Sequence, residues 1–358
     1  MASFHQPITR RKFLRTALIA MGSLAVRPEM TGFAFDPATK LGRVNVGMAE
    51  WKARPDPDSA TLGLAYEDTV LPWLREVVGY RPYRFNQRWV ETPEGYIWAP
   101  YLQPVKNDLN VPVTTLPSST LGAGMWAEVS VPFVDVVLEN PPARSPWLQN
   151  TPLPRLYFSQ VFWIDRVKTD DQGKVLYRVN ERYGYGDLLW AAAEAFRPLT
   201  KEEVAPIHPD VEEKRVIVDT DRQTLACYEG QREVYFAQVS TGMKYNFEGQ
   251  RVDHWETPLG TRPIWRKLFS VHMTGGSTGG GYDLAGVSWT TLFEGNGVAI
   301  HSTFWHNNFG EAMSHGCVNC RPEDAKWIFR WTQPIVPYDP GDLTIGMPGG
   351  TLVEVVGS

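Results

Sequence analysis

The segment Ser314-His315-Gly316-Cys317-Val318-Asn319, with Ile300-His301-Ser302 upstream, holds the side chains best suited to nucleophilic chemistry. A thiol attacks as the thiolate, and an unperturbed cysteine has a pKa of about 8.5, so it needs a cationic or proton-accepting partner. Histidine, with a reference pKa of about 6.5, is the natural base. On the turn before the thiol, His315 is expected to point away from Cys317. A histidine ending a neighbouring strand can approach the thiol side-on. The expected base is therefore His301, with His315 in a structural or oxyanion-side role. Gly316 allows close backbone approach, so amides around Cys317 can face a developing oxyanion. Ser314, Ser302 and Asn319 would position these groups, Asn319 chiefly through its backbone.

Cys317 and Cys320 form a C-x-x-C pair, which admits other chemistry. A thiol–disulfide motif normally sits in a βαβ context that is missing here, and it leaves His301 and Ser314 unexplained. His301, His315 and Cys317 could form a three-ligand metal cluster, but one C-x-x-C cannot supply four zinc ligands, and no metal is expected. Cys320 is then either a core residue or a reversible protector of the nucleophile. Cys227 lies in an expected strand and reads as core. Trp305 and His306-Asn307-Asn308 fall in the loop after His301 and shape the groove or pack it. Asp324 suits the first turn of a helix.

The elements that must hold these residues are mostly strands. Residues 215–219, 224–228, 233–240 and 297–301 read as strands, the last ending at His301. Residues 323–332 form an amphipathic helix opened by Pro322 and closed before Pro334. The glycine-rich stretch 274–281 reads as a loop. Further upstream, short apolar runs at 43–46, 69–74, 88–91 and 96–98 are broken by turn residues, a spacing that suggests a small barrel. Tyr177-Arg178-Val179, Trp190-Ala191 and then Phe196-Arg197-Pro198-Leu199 weakly echo the pattern at residues 88–105, suggesting a second, diverged copy. Residues 107–120 and 201–210 read as linkers.

Several motifs in order are similar to the L,D-transpeptidase (YkuD) family. They are Val239-Ser240-Thr241-Gly242, Thr257-Pro258-Leu259-Gly260, Val298-Ala299-Ile300-His301 and Ser314-His315-Gly316-Cys317-Val318-Asn319. The resemblance spans residues 212–356 and implies a β-sandwich-like catalytic domain with a short helix. It implies Cys317 as nucleophile and His301 as proton acceptor, with a lid over roughly 267–291. Within that lid His272, Met273 and Tyr282 would contact substrate, with Trp305 nearby. The twelve residues between His301 and Ser314 are slightly fewer than usual in the family, so this loop should be tight. Cys320 stands where the family is normally apolar. The pattern around residues 88–105 resembles the end of a bacterial SH3-like domain, which implies SH3-like modules at 41–106 and 121–200. The implied reaction is acyl transfer that cross-links peptidoglycan stem peptides through a thioester, without a cofactor. With water as acceptor it becomes an L,D-carboxypeptidase. A non-catalytic wall-binding protein is the alternative of another class.

Composition agrees with an exported, soluble enzyme. The 358 residues suffice for two or three domains, and 43% hydrophobic against 21% charged residues permits a packed core. A net charge of -5 without a basic run gives nucleic acid no footprint. Arg10-Arg11-Lys12-Phe13-Leu14 precedes a short apolar run, so residues 1–36 are expected to be a twin-arginine-type export signal and linker. Whether it is cleaved stays open. Three cysteines are too few for a disulfide scaffold and leave at least one free thiol. The expected setting is the cell wall or a periplasm-like space, with stem peptides as substrate, wall attachment through the modules, and a monomeric protein.

Overall fold

The computed structural model describes residues 40–80, 86–245, 249–252, 254–275 and 282–358. The expected export signal and most of the glycine-rich stretch lie outside the described residues. Within them the chain is mainly β, with two short α-helices, Pro146–Asn150 and Pro322–Trp331.

The C-terminal part is built on two five-stranded sheets. One runs through Arg232–Gln238, Thr224–Glu229, Lys214–Asp219, Leu352–Val356 and Gly260–Pro263. Lys214–Asp219 pairs parallel with Leu352–Val356, so the chain end closes onto the start of this part. The other runs through Val318–Cys320, Ala299–Ser302, Tyr282–Leu292, Arg266–Gly275 and Asp342–Thr344. Strand alternation explains the core: Val216 and Val218 point inward and are fully buried, beside Leu225, Phe269, Trp289 and Ile300. Each such side chain contributes about 1.5–3 kcal/mol on burial.

The helix Pro322–Trp331 places proline at a first-turn position that has no amide partner to lose, with Glu323 and Asp324 at the positive end of its dipole. It buries Ala325, Ile328, Phe329 and Trp331, the spacing of one helical face. Asp324 is more than a first-turn acid, because it also accepts a hydrogen bond from the Tyr235 hydroxyl at 2.6 Å. The buried ammonium of Lys267 donates to the carbonyls of Phe329, Thr332 and Pro334 at 2.5, 2.7 and 2.8 Å. These orphan carbonyls at the helix end thereby gain partners.

Residues 41–105 form a three-stranded and a five-stranded sheet around a separate core that includes Val44, Trp73, Val90 and Ile97. Residues 125–198 form a seven-stranded sheet with a core of its own. Both units end alike. A strand leads into a 3₁₀ turn, Ala99–Tyr101 or Ala193–Ala195, and the last strand then pairs antiparallel with the unit's first long one.

The stretches read as linkers are docked instead. Asn110 N–H donates to Glu194 O at 2.8 Å, and Val113 N–H to the Tyr177 hydroxyl at 2.6 Å. Ile207 N–H donates to Arg330 O at 3.0 Å, and Val204 enters the C-terminal core. Backbone bonds and isolated apolar residues leave no periodic trace in a sequence. Trp126, Val161 and Trp163 also belong to that core, with Trp126 edge-on to Phe269 at 5.5 Å. The C-terminal core therefore extends beyond residue 212.

Candidate active site

Two adjacent parallel strands set the site. Ala299–Ser302 pairs with Val318–Cys320 in the register Ile300 to Val318, His301 to Asn319 and Ser302 to Cys320. Alternation then divides the residues between two faces. Ile300, Val318 and Cys320 enter the core. His301, Cys317 and Asn319 line a cavity of about 820 Å³ on the other side.

The turn before the strand holds Cys317 at the cavity wall. The Ser314 hydroxyl donates to Cys317 O at 2.5 Å and accepts from Gly316 N–H at 3.1 Å. Gly316 has φ +121°, in a region that favours glycine. Its own amide is thus engaged by Ser314. Thr257 Oγ1 donates to Gly316 O at 2.8 Å and accepts from Gly242 N–H at 2.9 Å. A Cβ on Gly242 would lie 1.9 Å from Trp255 O, so only glycine fits there. The upstream Thr-Gly and Thr-Pro motifs therefore brace the turn that carries the thiol.

His301 Nδ1–H donates to Ser302 O at 2.8 Å, which leaves the lone pair of the neutral ring on Nε2. Burial pushes its pKa down to about 4, against the small opposing effect of that bond. Burial pushes the Cys317 thiol up to about 11, a shift tempered by the Ala299 amide. The resting pair is therefore thiol and neutral imidazole. Its proton must move as the thiol attacks. Ser302 acts through its carbonyl, while its side chain faces inward, 2.5 Å from the Ser288 hydroxyl.

His315 does not point away from the thiol. It lines the same cavity, its ring 4.0 Å from Trp255 and 5.3 Å from Tyr282 by centroid. Residues two apart on extended chain share a face, and the turn keeps that relation. Asn319 bonds Ser240 through both its backbone groups, at 2.8 and 2.9 Å.

The side chain of Asn319 meets buried His306 at 2.9 Å, a partnership the motif did not reveal. Asn308 N–H donates to His306 Nδ1 at 3.2 Å, so the ring, pushed down to about 3 by burial and by His301, carries its proton on Nε2. The structure sets Asn319 Nδ2 against that proton and buries Oδ1 without a partner. Exchanging the amide's O and N resolves both mismatches, with the oxygen accepting from His306 and the nitrogen as the buried donor.

Met273, Tyr282 and Trp305 line the cavity as expected, but His272 is not among its lining residues. The strand register slips between Val271 and Met273, and the His272 ring turns between two carboxylates. Its Nδ1 lies 2.8 Å from Glu181 and its Nε2 against Asp283. Although burial opposes it, these bonds and charges raise its pKa. The residues the motifs missed are Asn45, Val46, Trp98, Pro100 and Tyr101, which close the cavity from the first unit. No local signal tied them to the thiol.

Cys320 occupies the core beside Cys227, both fully buried, on the face of its strand opposite Cys317. All three cysteines are free. Burial raises the Cys320 thiol well above its ordinary value. The side chains of Cys317 and Cys320 diverge, so a disulfide between them would require the strand to break. Packing explains Cys320, and Cys320→Ala should cost about 1–2 kcal/mol of stability through lost burial and a small cavity. After mild oxidant and then dithiothreitol, wild type and variant should recover activity equally. Recovery by wild type alone would restore the protective role.

In this mainly β protein a thiol and a neutral imidazole thus line the same large cavity. Residues 213–355 match the family model of the L,D-transpeptidase catalytic domain, YkuD, and this part of the chain belongs to that family. Similar solved structures include an L,D-transpeptidase of Xylanimonas cellulosilytica, at 24% identity and a TM-score of 0.27 over 42% of this chain and 64% of that one. An Enterococcus faecium L,D-transpeptidase mutant shows 21% identity and a TM-score of 0.30 over 42% and 52%. An L,D-transpeptidase from Mycobacterium smegmatis shows 19% identity and a TM-score of 0.31 over 62% and 99%. The chain thus spans less than two thirds of the first two. No curated protein matches it.

Proposed function

We propose that the protein is a peptidoglycan L,D-transpeptidase. The observation that carries this reading is the presence of Cys317 and neutral His301 in the lining of one cavity, inside a segment that matches the YkuD family model. Cys317 Sγ attacks the carbonyl of a stem-peptide L-centre that is joined to a terminal D-residue. The thiol proton passes to His301 Nε2 and on to the leaving amine, as the carbon–nitrogen bond breaks and a thioester forms. An amine of a second stem then attacks the thioester, returning a proton to sulfur through His301 and leaving a cross-link. The Asn319 amide nitrogen is a donor for the oxyanion or the bound peptide.

Water in place of the amine gives the L,D-carboxypeptidase reaction at the same site. We further read residues 41–106 and 121–200 as SH3-like modules that hold the enzyme to the wall. Residues 1–36 would direct export by the twin-arginine route, and the protein would work outside the cytoplasmic membrane as a monomer. The test is mass spectrometry of purified muropeptides incubated with the protein. Cross-linked dimers with loss of a D-amino acid are expected. Shortened monomers alone would select the carboxypeptidase, and unchanged muropeptides would overturn enzymatic function.

A further inference from the structure

The cavity that holds Cys317 is closed only in part by the YkuD segment. Asn45, Val46, Trp98, Pro100 and Tyr101 of the first unit build one of its walls. Trp98 and Tyr101 also line a second cavity of about 280 Å³, with Met48, Glu50, Lys52 and Trp89. The two rings meet edge to face at 5.0 Å, so they form a ridge shared by both cavities. Trp98 Nε1–H donates to Asn86 O at 2.9 Å, which fixes the indole.

This wall is tied to the loop that follows His301. The buried Arg43 guanidinium donates to Phe304 O at 2.9 Å while also binding Asp68 at 2.7 Å and Gln103 at 2.7 Å. Asn307 Nδ2 donates to Ala99 O at 3.2 Å, and Asn86 Nδ2 to Asn308 Oδ1 at 3.3 Å. The first unit is therefore held in register with the catalytic loop, as a specificity wall must be.

Met273, Tyr282 and Leu284 of the hairpin line the cavity of Cys317, as do Val46, Trp98 and Tyr101, and the last two also line the second cavity. Acyl transfer to an amine brings two peptide chains to one sulfur, so the two chains must divide these walls between them. We propose that Trp98 and Tyr101 are specificity-determining residues that bind the acceptor stem peptide, with the second cavity as its outer subsite. This rests on the transpeptidase reading above. The acceptor chain lies across the aromatic ridge and presents its amine to the thioester, and the paired Glu50 and Lys52 at the outer subsite suit the mixed charges of a stem peptide.

The experiment measures how the thioester divides between amine and water, using the full chain, a purified tetrapeptide-stem donor and graded concentrations of the same muropeptide as acceptor. Trp98→Ala and Tyr101→Ala should shift that division at least about tenfold toward hydrolysis, the effect of losing one aromatic contact of about 1.4 kcal/mol. Because removal of Trp98 could loosen the first unit, Val46→Trp serves as a second variant that fills the cavity from a loop position and leaves both aromatic rings in place. It should give the same shift. A purely structural defect slows thioester formation and leaves the division unchanged, and that result would overturn the proposal. If wild type forms no thioester at all, the transpeptidase reading falls first and this inference with it. A normal thioester with unaltered division in all three variants overturns the inference alone.

Discussion

Cys317→Ala should remove acyl transfer altogether, by at least about 10⁴-fold, while the protein stays folded. The sulfur and the neutral His301 imidazole line the same cavity. The thiol donates a long hydrogen bond to Gly297 O, at 3.9 Å. The side chain faces the cavity and is partly exposed, so its loss leaves the core intact. Intact-mass measurement should show no covalent adduct with a stem-peptide donor, and thermal unfolding should match wild type within a few degrees. Turnover near wild type in the variant would remove Cys317 from the chemistry. A large fall in the unfolding midpoint would assign it to the architecture instead.

His301→Gln should lower acyl transfer by roughly 10²–10⁴-fold, the usual cost of losing a general base. The neutral resting pair makes this more specific. With the thiol pushed up to about 11, alkylation of wild type by iodoacetamide should climb steadily from pH 6 to 10. A preformed thiolate–imidazolium pair would give a plateau below pH 8, and such a plateau would refute the neutral assignment. Acyl transfer in wild type should fail only as pH drops toward 4, where His301 takes up its proton.

Stability follows the same group. Between pH 6.5 and 4 the unfolded chain binds a proton at this histidine and the folded chain does not, so stability falls as pH falls. The slope is at most about 1.4 kcal/mol per pH unit. His306, pushed down to about 3, acts in the same direction. His272, raised by its carboxylates, acts in another window, where its stabilisation is lost as pH rises above the unfolded value of about 6.5. The glutamine variant should lose one histidine's share of this slope. An unchanged slope would mean that His301 is not buried neutral.

The chemical centre was legible because the motif is local. Ser314, Gly316 and Cys317 form one turn, and their residue types fix its hydrogen bonds whatever surrounds it. Strand alternation, a two-residue period, similarly foretold the buried faces of Lys214–Asp219 and of the His301 strand. The role of His306 was not legible, because its proton is assigned by Asn308 together with Asn319, thirteen positions away on another element. His272 was misplaced because a register slip of one residue turns a side chain to the other face, and no residue type announces that slip.

By itself the sequence determined the mainly β fold class and the family match of residues 213–355, since these rest on contacts within short segments or between adjacent strands. Tertiary structure alone decided that Trp98 and Tyr101 stand over the same cavity as Cys317, more than 200 positions away in the chain. It also decided that Trp126 and Val204 complete the C-terminal core. The physical reason is that backbone hydrogen bonds and side-chain packing between distant segments depend on shape, while periodicity and motif record only what lies nearby along the chain.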